Sequence, residues 1–190
     1  VFQTVFGPVP RRKSLKLRTL PQFPALFHTP RPPLTDRAFY QNAAAGQDVT
    51  IEHAGSGTLT FTGSFLSGVN NAHAFVFNVV GAAAVIENAG GIANGGTAAL
   101  GLYKRGAGTQ LLSAVNTYTG NTAVDAGTLG ITPAGAISTN SLLQMRGGTL
   151  LLNAGTPAST YTALFGALQI NGNSSTLSVA PAATSATITF

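Results

Sequence analysis

Short apolar alternations recur along most of this chain, flanked by threonine and closed by glycine or asparagine. Thr58-Leu59-Thr60-Phe61-Thr62 puts Leu59 and Phe61 on one face and three threonines on the other. Thr187-Ile188-Thr189-Phe190 does the same, and Val49/Ile51, Phe75/Phe77/Val79, Leu150/Leu152, Leu168/Ile170 and Leu177/Val179 share the period of two. Successive side chains of a strand point to opposite faces of a sheet, so this period predicts strands with one buried face. Gly90-Gly91, Gly95-Gly96, Gly147-Gly148 and Asn171-Gly172-Asn173 fall between them as turn signals. No window has helical periodicity backed by good helix formers. Residues 43–190 are predicted to be an all-β body. The best candidate for a membrane helix, Ala74 to Ile86, is interrupted by Asn78 and Gly81. It falls short of the roughly 20 residues a span needs and reads as buried strand.

Residues 1–42 have a different texture. Seven of the ten prolines lie there (Pro8, Pro10, Pro21, Pro24, Pro30, Pro32, Pro33), with a single glycine, Gly7. Proline lacks an amide donor and fixes φ, which excludes a long helix or a central strand. The segment is predicted to be an extended arm with short strand-capable pieces at Val1–Phe6 and Ser14–Leu20. Phe2, Phe6, Leu15, Leu17, Phe23 and Phe27 are its candidate assembly contacts, because a solvated linker has no use for so many apolar anchors. Arg11-Arg12-Lys13-Ser14-Leu15-Lys16 has the outline of a twin-arginine export signal, but Pro21, Pro24 and Pro30 break the apolar stretch that should follow.

Charge sharpens the same boundary. The arm holds Arg11, Arg12, Lys13, Lys16, Arg18, Arg31 and Arg37 against Asp36 alone, a net of +6. The body holds Lys104, Arg105 and Arg146 against Asp48, Glu52, Glu87 and Asp125, a net of −1. The overall +5 therefore describes an arm on a nearly neutral body. Charged residues make up only 8% of the chain, while 44% is hydrophobic. Such a chain must bury its apolar residues or associate with something. There is no cysteine, which removes disulfides, thiolate nucleophiles and cysteine-ligated metals together.

The strands repeat. Gly-Thr-Leu occurs at Gly57–Leu59, Gly127–Leu129 and Gly148–Leu150, with variants at Gly108-Thr109-Gln110 and Ser175-Thr176-Leu177. From residue 108 the steps are 19, 21 and 27 residues, as suits the rungs of a parallel β-helix whose loops vary in length. Between them run Lys104-Arg105-Gly106-Ala107-Gly108-Thr109, Leu112-Ser113, Asn116-Thr117-Tyr118-Thr119-Gly120, Thr122, Val124 and Gly127-Thr128-Leu129. Residues 102–129 closely resemble the autotransporter-associated β-strand repeat. They depart from its pattern at Gln110, where an apolar residue is usual, and at Ala114, where glycine is commoner. Residues 141–152 look like a decayed continuation, and residues 1–42 match nothing in that family. The resemblance implies a right-handed parallel β-helix (β-solenoid) outside a bacterium or on its surface, with outer-membrane or cell-surface attachment. Such repeats sit in passengers joined to an outer-membrane barrel, so the chain reads as a piece of a passenger or as a stand-alone relative.

The chemistry of an enzyme is missing from this pattern. Asp48 and Glu52 share a strand face four residues apart but not side by side, and a carboxylate pair across rungs is the one acid–base arrangement left open. His28, His53 and His73 have no metal-ligand spacing. Gly106-Ala107-Gly108 lacks the third glycine of a dinucleotide fingerprint, and Lys104-Arg105 reads as solvated turn charges. The expectation is a non-enzymatic structural protein without cofactor, metal or small-molecule substrate. It should assemble as a homo-oligomer or polymer into a surface filament or matrix, with the arm contacting a neighbour. The alternative is a monomeric passenger or adhesin fragment acting as a stalk. Nucleic-acid binding by the basic arm is not expected, since the prolines break any single basic face.

Overall fold

The computed structural model describes residues 14–16, 39–41, 47–68, 72–132, 136–154, 160–171, 174–180 and 185–190. The alternating segments become eighteen strands, and every strand pairing among the described residues is parallel. They wind as a β-solenoid, as the repeat predicts. One sheet stacks β1 (Ser14–Lys16), β3 (Val49–His53), β6 (His73–Val79), β9 (Leu100–Arg105), β11 (Thr122–Val124), β13 (Leu142–Met145) and β16 (Ala167–Ile170). A second stacks β4 (Gly57–Phe61), β7 (Ala84–Asn88), β10 (Thr109–Leu112), β12 (Thr128–Ile131), β14 (Gly148–Leu152) and β17 (Ser175–Val179). The third face carries β2 (Phe39–Gln41), β5 (Phe65–Ser67) and β8 (Ile92–Ala93). A bridge from Val115 to Ala136 follows, and β15 (Thr160–Leu164) paired with β18 (Ser185–Thr189) completes it. From β3 to β16 the chain makes about five turns. The run from Ala74 to Ile86 is two strands on different sheets, because the chain turns at Gly81.

Register explains the Gly-Thr-Leu repeat. Thr109 pairs with Thr128, Thr128 with Thr149 and Thr149 with Thr176, so each copy opens the second-sheet strand of its own rung. The leucine position points inward and forms the column Leu59–Ile86–Gln110–Leu129–Leu150–Leu177. A neighbouring column runs Phe61–Asn88–Leu112–Ile131–Leu152–Val179. Facing them across the first sheet are Phe75–Leu102–Thr122–Leu143–Leu168 and Ile51–Phe77–Lys104–Val124–Met145–Ile170. Burying one such Leu, Ile or Phe contributes about 1.5–3 kcal/mol, and no single rung can do so without the next.

The interior changes along its length. At the first rungs it is aromatic: Phe65 stacks on Phe39 at 4.9 Å and meets Phe61, Phe75 and Phe77 edge-on at 5.2, 5.2 and 5.5 Å. Farther on it is mainly aliphatic, with Tyr118 and Phe165 the buried aromatic residues. At the last rung it is open, with Ile170 66%, Leu177 45% and Phe190 52% exposed.

The glycine of the repeat is required by the corner between the two main sheets. Gly127 has φ of 65°, in the left-handed region, and Gly148 has 71°. A Cβ on Gly127 would also run into the carbonyl oxygens of Gly106 and Gly108 on the preceding rung. Gly127→Ala is expected to lower stability by about 1–2 kcal/mol from backbone strain, with a further loss from that contact. Urea denaturation checks this, and an unchanged midpoint would contradict the corner geometry.

Candidate functional site

The repeat places its polar residues where rungs turn. Leu100, Leu102 and Lys104 alternate on β9, and all three are fully buried. Lys104 therefore enters the interior column, contrary to the expectation of a solvated turn charge; the same alternation that marked the leucines marked it too. Its Nζ donates to the carbonyls of Arg105 at 2.8 Å, Gly106 at 2.7 Å and Ala126 at 3.1 Å. An ammonium has three donors, and here all three are used, two on its own rung and one on the next. Corner carbonyls that glycine leaves bare are thereby satisfied from inside.

Asn116 performs the matching task at the corner between the second sheet and the third face. It is 3% exposed. Its Oδ1 accepts from Ile92 N at 2.9 Å, while Nδ2 donates to Ala114 O at 2.9 Å and Ala136 O at 2.6 Å. One side chain thus links three successive rungs. Tyr118 then fills the third corner. It is fully buried and its hydroxyl lies 2.6 Å from Thr122 Oγ1, which lies 2.9 Å from Ser141 Oγ on the following rung. Gly120 lies against Leu100, donating its N–H to that carbonyl at 2.9 Å.

Gln110, the departure from the family pattern, occupies an interior leucine position and is fully buried. Its Nε2 donates to Asn88 Oδ1 at 3.1 Å, so two amides on neighbouring rungs share an otherwise apolar column wall. This bond offsets part of the cost of burying the two amides, of which Gln110 Oε1 and Asn88 Nδ2 have no partner among the described residues. Neither was paired with the other by sequence reading, because Asn88 and Gln110 are 22 residues apart.

The body's carboxylates hold rungs together on the outside. Asp48 Oδ1 accepts from Ala74 N at 2.8 Å, and Glu52 Oε2 from Asn78 Nδ2 at 3.1 Å. Glu87 accepts from Thr60 at 3.1 Å and from Ser113 at 2.9 Å, joining a rung on each side of its own. Asp125 takes Arg105 Nε at 2.9 Å and lies 3.7 Å from Arg146, and both guanidiniums lie over the Tyr103 ring. Asp48 and Glu52 share β3 or its approach but serve different partners. His53 is 7% exposed with Nε2 3.1 Å from Gly57 O. Among the described residues no three His, Cys, Asp or Glu side chains form a group that could hold a metal, and no helix is long and apolar enough to cross a membrane.

Of the candidate assembly contacts, Phe2, Phe6, Leu17, Phe23 and Phe27 lie outside the described residues. Leu15 is in β1, whose backbone pairs with Thr50–Glu52 of the same chain, opposite Ile51. Phe39, nearer the body, packs on the aromatic interior of the first rung through β2. Two pieces of the arm therefore add a partial layer on top of the first full rung.

Residues 102–131 match the passenger-associated-transport-repeat family. Comparison with curated proteins and with solved structures gives no match. The matched stretch spans β9 to β12, which is one full turn plus the first two strands of the next, and includes Lys104, Asn116, Tyr118 and Gly127. Repeat and solenoid together fit an autotransporter passenger-like domain.

Lys104 and Tyr118 give the corners a pH dependence. Burial lowers the Lys104 pKa from 10.5 to about 8, and burial raises that of Tyr118 above the usual phenol value of 10.0. Between pH 8 and 10.5 the unfolded chain still binds a proton that folded Lys104 has released, so stability rises with pH across that window. Above pH 10.0 unfolded tyrosine ionises while buried Tyr118 does not, and stability falls. Urea midpoints of the wild type minus those of Lys104→Met are expected to climb between pH 8 and 10. A flat or falling difference would contradict the burial of Lys104.

Proposed function

We propose that this protein is a non-enzymatic structural protein of the bacterial exterior, a passenger-type solenoid that assembles with its own copies into a surface filament or matrix. Passenger-type repeats support an extracellular or cell-surface location. The observation that carries the assembly is the scarcity of charge on the body: residues 43–190 hold three basic and four acidic side chains in all.

Residues 147–190 contain no charged residue at all. The near-neutral body therefore offers little repulsion between copies. The rung-to-rung bonds of Lys104, Asn116 and Glu87 give the same molecule the stiffness a filament needs. Carboxylates engaged as bonds between rungs are consistent with a role without catalysis.

The second reading is a monomeric passenger stalk, which the passenger-type match also supports. The two separate in solution. Wild-type chain at micromolar concentration is expected to scatter light as polymers visible by electron microscopy. Ile170→Asp combined with Leu177→Asp should keep the β-type circular dichroism and shift the thermal midpoint by no more than a few degrees, because both positions are exposed, yet remain monomeric. A monomeric wild type would select the stalk, and polymers from the double variant would remove the last rung from the assembly.

A further inference from the structure

On the outside of the solenoid, where the third face turns into the first sheet, lies a groove of about 330 Å³. Four successive rungs supply its walls. Asp48 comes just before β3, His73 opens β6, Gly101 and Tyr103 lie on β9, and Asn121 comes just before β11. From Asp48 to Asn121 is three rung steps, roughly 14 Å at about 4.8 Å per rung. The groove has the length for a short chain molecule laid across the rungs, and its volume is that of a small-molecule site.

Glycine keeps the groove open. Gly101 sits on β9 between Leu100 and Leu102, which are fully buried, so its own position is on the outer rank. A Cβ there would stand 3.1 Å from Asn121 O and 3.3 Å from Ala74 Cβ, and a longer side chain would fill the space. Gly120 also lines the groove, and its approach to the Leu100 backbone leaves no room for a Cβ at all.

The groups around this floor both donate and accept. Asp48 gives one carboxylate oxygen to Ala74 N at 2.8 Å and has a second with which to accept. Asn121 is exposed, and its backbone carbonyl is held by Leu102 N at 2.9 Å, which fixes where its carboxamide starts. Tyr103 adds a hydroxyl and an aromatic wall. Arg105 and Arg146 lie 6.0 and 5.7 Å from the centroid of its ring, but both guanidiniums are engaged by Asp125. No described Lys or Arg lines the groove, and its one carboxylate repels anions.

We infer that this groove binds a neutral oligosaccharide laid along the solenoid axis. Sugar hydroxyls donate and accept at once, as Asp48, Asn121 and the Tyr103 hydroxyl require, and the C–H faces of a pyranose suit an aromatic wall. Equatorially linked pyranoses advance by about one rung step per residue, so successive sugars meet successive rungs. The groove would fasten the domain to a glycan-bearing surface or a polysaccharide matrix. A filament would carry it once per copy, and a monomeric stalk would carry it equally.

Saturation-transfer difference NMR on the full chain tests this. Cellotriose, maltotriose and the trimer of N-acetylglucosamine serve as neutral probes and trigalacturonate as the anionic one. At least one neutral trisaccharide is expected to bind with a Kd on the order of 1 mM or tighter, and more tightly than trigalacturonate. Asn121→Ala and Tyr103→Ala should each weaken that binding by about tenfold while keeping the β-type circular dichroism, and Thr149→Ala on the second sheet should leave it unchanged. Binding of none of the neutral probes would overturn the inference. So would tighter binding of trigalacturonate, or binding that survives both groove variants unchanged. Each of these outcomes is read equally on monomer or polymer, and so is independent of self-assembly.

Discussion

The fold depends on one constraint: a rung of this solenoid cannot keep its inside dry without a rung above and below. Each strand is two to seven residues long, carries only a few inward side chains, and finds its hydrogen bonds entirely in neighbours about a turn away in sequence. The parallel ladder satisfies backbone and apolar face by the same act of stacking. Everything else follows from making that stack repeat. Glycine appears where the corner brings carbonyls too close for a side chain, and threonine where a rank faces outward. Lys104 and Asn116 appear where the turn would leave carbonyls without donors.

That division of labour gives the matched repeat a physical meaning. Its hydrophobic positions are interchangeable in kind, and the interior shifts from phenylalanine to leucine without changing the winding. Its polar positions are not. Lys104 must reach three carbonyls, Asn116 must give two donors and accept one, and Tyr118 must fill a corner while its hydroxyl finds Thr122. The one interior position that departs from the pattern, Gln110, is tolerated because Asn88 supplies an amide on the rung before it.

Much of this was legible in the chain itself. The period of two located the strands, and the steps between Gly-Thr-Leu copies equalled the register shifts of the second sheet, since each copy opens a rung. The break in proline and charge falls shortly before β3, although β1 and β2 show that parts of the arm join the sheets. Less legible were the polar sites. Lys104 looked like a turn charge when read beside Arg105, and only its alternation with Leu100 and Leu102 assigns it inward. Asn88 and Gln110, or Glu87 with Thr60 and Ser113, meet only because a turn of 24 to 27 residues brings them together, and no local pattern records the length of a turn. Each carboxylate among the described residues likewise meets a partner 20 to 27 residues away on a neighbouring rung.

Register is where the account can be tested most directly. Thr109, Thr128 and Thr149 are predicted to lie in one outward rank, adjacent rungs about 4.8 Å apart and alternate rungs about twice that. Oxidation of Thr109→Cys with Thr128→Cys should close a disulfide within one molecule, while Thr109→Cys with Thr149→Cys should not, because a disulfide tolerates Cα separations only up to about 7 Å. Mass spectrometry of the monomer reads both. Closure of the first pair alone is the predicted result; closure of neither, or of both equally, would contradict a parallel stack in this register.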